Sequence, residues 1–168
     1  MADEIINRVA NSKLITVDLE DYYPNGERVI FDLKDWLFEE IVLKEKEFRA
    51  HVEQHNWSQY QDKYVAITCS SDAIVPTWAF MLVSISLHPF TKYNIIGNLE
   101  DLESALYQDI IDSLNVSEYL DKPVIIKGCS KKPVPQKAYS MIISKLKPVA
   151  KSIMFGEACS NVPLFKRK

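Results

Sequence analysis

The 168-residue chain has little glycine and little cysteine, four of the first and three of the second, and eight prolines. With 47% hydrophobic residues and 26% charged ones it is neither collagenous nor of low complexity, and it has enough apolar side chains to avoid intrinsic disorder. Three cysteines cannot complete a disulfide framework, and Met1-Ala2-Asp3-Glu4 lacks the basic, then apolar start of a secretory leader. The expectation is a reducing, cytoplasmic setting. The longest apolar stretch, Ala73 to Leu87, is broken by Pro76 and falls short of the ~20 apolar residues of a membrane span, so it reads as a core helix. No repeats at solenoid periods, no Gly/Ser linker and no composition break divide the chain. It reads as one domain, 1–168.

What is present is unevenly distributed. Residues 1–121 hold 9 Lys plus Arg against 22 Asp plus Glu, whereas residues 122–168 hold 11 against 1, so the net charge of −3 conceals two opposed blocks. One reading packs an acidic half on a basic half. The other makes Lys127, Lys131, Lys132, Lys137 and the tail Lys166-Arg167-Lys168 a surface for an anion or an acidic partner, with Lys131 and Lys132 as the contact residues. The pI of about 5.6 and the lack of a reader motif argue against nucleic acid.

The first 42 residues predict a β-rich extension, with strand-like runs at Leu14 to Asp18 and Arg28 to Leu33 across a turn at Pro24-Asn25-Gly26. Their aromatics, Tyr22, Tyr23, Phe31, Trp36 and Phe38, either cover the core or form a partner surface. Beyond them, Lys44 to Gln54 reads as a helix. Tyr64 to Thr68, Tyr93 to Ile96, Val124 to Ile126 and Ser152 to Phe155 read as strands buried on both faces. Thr77 to Leu87, Leu99 to Ile111 and Gln136 to Lys147 read as the helices between them, with Asn98 as an N-cap. Strand and helix in alternation predict an α/β fold with a mostly parallel sheet and flanking helices, over 43–168.

The cysteines fall at the ends of predicted strands: Cys69 after Thr68, Cys129 after Gly128, and Cys159 four residues past Phe155. Each is followed by serine and then by a Val-Pro pair, at Pro76, Pro135 and Pro163. In one parallel sheet all three thiols emerge at its carboxyl edge, where open α/β sheets bind ligands and where helix N-termini favour thiolates. With Asp72, these three thiolates make a four-donor set for zinc or an iron–sulfur species. The alternatives are inert structural thiols and a thiol redox pair. His51 and His55, four apart on a polar helix, read as a solvated face, and His88 as a cation at a helix end. No Ser-His-Asp order, nucleophile elbow, phosphate loop or His-Glu-x-x-His motif is present, so an enzymatic reading has little support.

Five stretches, Phe31 to Phe38, Trp57 to Val65, Asp72 to Phe80, Pro123 to Pro135 and Lys147 to Pro163, resemble an uncharacterised bacterial family, domain of unknown function 2480, over nearly the whole chain. The resemblance supplies no catalytic residues. Its members are encoded near iron–sulfur assembly components, so it implies a cluster-handling accessory with iron–sulfur assembly proteins as partners. The donor set Cys69, Asp72, Cys129 and Cys159 is similar in composition to the three-cysteine, one-aspartate set of iron–sulfur scaffolds, at a different spacing.

Overall fold

A computed structural model describes residues 13–128 and 131–168. It is an α/β fold whose strands are mostly parallel, divided between two sheets rather than gathered in one. The chain forms two compact units. One is Pro24–Ala105; the other comprises the described residues of Met1–Tyr23 together with Leu106–Lys168.

In the unit Pro24–Ala105, strands β2 (Arg28–Asp32), β3 (Tyr64–Thr68) and β4 (Tyr93–Ile96) form a parallel sheet in that order. Helices α1 (Glu45–Gln54) and α2 (Thr77–Leu87) accompany it. Its core joins Phe31, Leu33, Val65 and Ile67 to Phe48 of α1 and to Ala79, Val83 and Leu87 of α2. The other unit orders its sheet β1 (Ile15–Asp18), β5 (Pro123–Lys127), β6 (Ser152–Glu157), β7 (Ser160–Lys166), the last strand antiparallel. Helix α4 (Gln136–Leu146) packs Ala138, Ile142 and Leu146 into a core with Val17, Leu19, Val124, Ile126 and Ile153. Helix α3 (Leu99–Asp112) leads from one unit into the other. It opens on reciprocal bonds, Asp101 N–H to Asn98 Oδ1 at 2.9 Å and Asn98 N–H to Asp101 Oδ2 at 3.0 Å, so the expected N-cap is a capping box.

The predicted N-terminal strands are outer members of these two sheets. β1 pairs with β5 and β2 with β3, each in parallel. β7 was not foreseen. Proline at position 163 and the polar start Ser160-Asn161 give that segment no strand-like apolar run.

The two units repeat one pattern. The pairs Asn56/Asn115, Tyr60/Tyr119, Asp62/Asp121, Lys63/Lys122, Val75/Val134, Pro76/Pro135, Leu87/Leu146, Pro89/Pro148, Lys92/Lys151 and Gly97/Gly156 are identical and all 59 positions apart, with no gap between. A second motif repeats ahead of them, Asp18-Leu19-Glu20-Asp21-Tyr22 and Asp32-Leu33-Lys34-Asp35-Trp36. Strand registers agree: Asp18 lies opposite Lys127 as Asp32 lies opposite Thr68, and Val124 opposite Ile153 as Val65 lies opposite Asn94. Backbone bonds agree too, Asp62 N–H to Phe90 O and Asp121 N–H to Val149 O both measuring 2.9 Å. Asp62 and Asp121 even share a left-handed backbone, at φ 60° and 55°. The repeat occurs twice, at an offset of 59 residues that lies outside the 20 to 50 typical of solenoids.

Candidate functional site

Parallel strands deliver their carboxyl ends to one edge, and in each unit that edge carries an aspartate set by the repeated motif. Asp18 ends β1 and caps the 3-10 turn Leu19–Tyr22, its Oδ1 accepting from Glu20 N–H at 3.0 Å. Beside it, Lys127 ends β5 and places its Nζ 3.4 Å from Asp18 Oδ2 and 3.5 Å from Glu157 Oε1. The hydrogen bond to Asp18 and the negative charges of Glu157 and Asp18 raise the lysine pKa above its ordinary value. One ion triad thereby ties the ends of three adjacent strands.

A cavity of about 120 Å³ opens there, lined by Asp18, Lys127, Gly128, Phe155, Gly156 and Glu157. Gly128 adopts φ +152°, where a Cβ would stand 3.2 Å from both Leu19 Cβ and Tyr139 Oη. Cys129, next in the chain, lies outside the described residues. Cys159 is exposed in the two-residue turn that joins β6 to β7 after the pair Glu157–Ser160. Each of these cysteines is two residues beyond a member of the Lys127–Glu157 ion pair.

The edge of Pro24–Ala105 has a different chemistry. Asp32 caps the 3-10 turn Leu33–Trp36 through Lys34 N–H at 3.1 Å and takes two further bonds from Ser70, Oγ at 2.5 Å and N–H at 3.1 Å. Burial works to raise its pKa, but the bonds from Ser70 and Lys34 and the Lys34 charge outweigh it and hold the carboxyl below the ordinary value. Cys69 is half-buried with Sγ 3.2 Å from Ser71 Oγ, and Asp72 is exposed. A cavity of about 330 Å³ opens beside Thr68, Cys69, Val75, Phe80, Ile96 and Gly97.

The expectation of one sheet edge carrying all three thiols is corrected: Cys69 follows β3 of one sheet, and Cys159 follows β6 of the other. Among the described residues no three His, Cys, Asp or Glu side chains gather to hold a metal ion, and the set Cys69, Asp72, Cys129 and Cys159 includes one residue outside them. The repeat also refines the cysteine pattern. At the offset of 59, Cys69 matches Gly128, and Cys129 matches Ser70, the residue that reaches Asp32.

The acidic and basic blocks meet within one unit. Arg167 Nη1 lies 2.6 Å from Asp121 Oδ1, Lys127 bridges its two carboxylates, and Lys131 donates its backbone N–H to Glu20 Oε1 at 2.9 Å. Lys131 and Lys132 are exposed, with Lys132 Nζ 5.5 Å from the centre of the Tyr23 ring. Tyr22 and Tyr23 pack against the core, whereas Phe38 stays exposed.

The histidine expectation is corrected in part. His51 is exposed, stacked on Trp36. His55 is half-buried among Phe31, Trp36, Trp57 and Tyr60, with Nε2 3.1 Å from Tyr60 Oη, and burial lowers its pKa below the ordinary value. Polar helix positions around it gave no sign of this, because its cage comes from Phe31 and Trp36 of the preceding strand-and-turn and from Trp57 and Tyr60 beyond the helix.

A family model described as a protein of unknown function, DUF2480, matches residues 3–167. The chain belongs to that family. No curated protein and no solved structure matches it. Among the described residues no helix is long and apolar enough to cross a membrane.

Proposed function

We propose that the chain is a non-enzymatic cytoplasmic accessory that binds a thiophilic metal, zinc or an iron–sulfur species, through Cys129 and Cys159, with iron–sulfur assembly proteins as partners. The observation that supports it is the Lys127–Glu157 ion pair, which ties together two strand ends that each run, two residues on, into a cysteine. Cys159 is exposed there, and the counterpart of Cys129 in the other unit, Ser70, is an aspartate-facing position. Thiolates with a carboxylate at hand suit both zinc and iron–sulfur ligation.

The test is elemental analysis and visible absorbance of the full chain purified without oxygen. Near-stoichiometric metal is expected, lost in Cys129→Ser and in Cys159→Ser. Substoichiometric metal unchanged by Cys129→Ser overturns the reading. A Cys129–Cys159 disulfide formed under mild oxidation, with no metal bound by the reduced protein, supports the thiol redox reading instead.

A further inference from the structure

We propose that one edge of the sheet β1-β5-β6-β7, the edge remote from Lys127 and Glu157, docks on a bilayer surface rich in anionic phospholipid. Each of the four strands brings a cation to that edge. Lys122 and Lys151 immediately precede β5 and β6, and Arg167 immediately follows the antiparallel β7. Backbone bonds hold these three side by side, Lys151 N–H to Lys122 O and Arg167 N–H to Lys151 O, both at 2.9 Å. The β1–β5 register sets Ile15 opposite Val124, and carried two residues back it brings Lys13 level with Lys122. Lys166 and Lys168 flank Arg167, and Lys147 Nζ is 6.0 Å from the centre of the Phe165 ring.

The repeat does not itself require this charge. In Pro24–Ala105 the counterparts of Lys122 and Lys151 are Lys63 and Lys92, and both have a partner: Lys63 Nζ is 3.0 Å from Glu27 Oε2, and Lys92 Nζ is 5.7 Å from the centre of the Tyr64 ring. At the offset of 14 that relates Asp18 to Asp32, the place of Glu27 is held by Lys13; at the offset of 59, the place of Tyr64 is held by Pro123. Carboxylate and ring are both missing, and β7 adds Lys166-Arg167-Lys168. Among the described residues, Arg167 with Asp121 is the one ion pair in this group. Like charges crowded on one edge repel each other, and an anionic surface relieves that repulsion.

The residue types favour lipid as that surface. Six of the seven cations are lysines. Lysine is depleted in protein–protein interfaces, whereas each lysine near an anionic bilayer adds attraction without needing a fixed partner. The aromatics Tyr119 and Phe165 are packed against the core, so neither ring is free to stack on a nucleic-acid base. Aliphatic side chains are exposed instead, Leu120 at 57% and Leu164 at 51%, and Leu120 stands where the other unit has Gln61. Leucine beside lysine is the composition of a contact with the headgroup layer.

Co-sedimentation of the full chain with phosphatidylcholine vesicles, with and without phosphatidylserine, tests the proposal. It is read equally in Cys129→Ser, so its outcome is independent of the thiols. Binding is expected only to vesicles that contain phosphatidylserine, and it weakens as salt rises from about 0.01 M to about 0.15 M. Lys13→Glu combined with Lys151→Glu lowers the partition coefficient at least about tenfold. Lys46→Glu combined with Lys92→Glu, the same change in net charge on exposed lysines of the other unit, leaves it nearly unchanged. Far-UV circular dichroism confirms that each variant is folded. A wild-type chain that ignores phosphatidylserine vesicles at low salt overturns the proposal, as does an equal loss in the two double variants. Retention of a short RNA or of polyglutamate by a chain that ignores the vesicles also overturns it, and assigns the edge to nucleic acid or to an acidic protein.

Discussion

Asp18 and Asp32 hold the same place in the two copies of one chain pattern, each capping the 3-10 turn that follows it, yet Asp18 faces Lys127 while Asp32 faces Ser70. The cap is thus the shared, structural duty of the position, and the partner across the strand ends is where the copies differ. A lysine with two carboxylates makes one edge an ion triad; at the other, the Asp32 carboxylate is held by hydrogen bonds from Ser70.

The Asp32 cap is testable as stability. Its folded pKa is held below the ordinary carboxylate value of 3.8, so the stability it contributes is complete above that value and is lost as the pH falls through the lower folded value. Asp32→Ala is expected to cost about 1 kcal/mol at neutral pH, the usual cost of removing a cap. The difference from wild type shrinks toward strong acid. Urea denaturation at pH 7 and at pH 3 measures both, and an equal loss at the two values contradicts the assignment.

Much of this architecture was legible in the residues. Tyr64–Thr68, Thr77–Leu87 and Tyr93–Ile96 have the predicted bounds, because each is a short apolar run and the last two are closed by Pro76 and His88 and by Gly97. The division into two sheets was not legible. Local periodicity says that a strand exists, but its partner is set by long-range pairing, and β1 and β5 are more than a hundred residues apart. The site was half legible: strand-end cysteines stood out, while the Asp18–Lys127–Glu157 triad required knowing that β1, β5 and β6 are neighbours. The repeated Asp-Leu-x-Asp-aromatic motif was the available signal for it.

Arg28 and Glu103 illustrate an interaction that is expensive to break. Arg28 Nε lies 2.6 Å from Glu103 Oε1 and Nη2 3.2 Å from Oε2, with both side chains only 12% exposed. Nη1 also bonds the carbonyls of Pro24 and Gly26, which fixes the turn before β2. Removing one partner leaves a charge in a largely dry place, so Glu103→Gln should destabilise by about 3 kcal/mol. The double variant Arg28→Met with Glu103→Leu should recover most of that loss. A double variant as unstable as the single one points to the turn bonds, not the ion pair, as the main contribution.

The aromatic cage of His55 predicts a pH response in tryptophan emission. Its ring centre is 5.2 Å from that of Trp36 and 4.7 Å from that of Trp57, and Tyr60 Oη and Gln59 Nε2 are the polar groups at its Nε2. Burial lowers its folded pKa below 6.5, so the neutral ring's contribution is complete above pH 6.5 and is lost as pH falls toward the lower folded value. Emission should therefore change below pH 6.5 in wild type and in His51→Gln, and lose that transition in His55→Gln. Persistence of the transition in His55→Gln would assign it to another group.

Gly156 joins the fold to the candidate metal site. It adopts φ +123° in β6, two residues from the turn that exposes Cys159, and a Cβ there would come within 2.7 Å of the Ser160 carbonyl oxygen. Neither the backbone angle nor that contact accommodates a side chain, because the obstructing atom is main chain and cannot swing aside. Gly156→Ala should cost about 1 to 3 kcal/mol and displace the β6–β7 hairpin. Gly97→Ala, the matching position in the other unit, is strained too, at φ +153° and with Asp101 Cβ 2.8 Å from the added Cβ, but it follows β4 of the other sheet, to which β7 does not belong. Hydrogen exchange of the Val162 amide, opposite Phe155, reads the hairpin directly: protection falls in Gly156→Ala and is kept in Gly97→Ala. If the Val162 amide of Gly156→Ala stays protected, the glycine is not what holds the Cys159 turn in place.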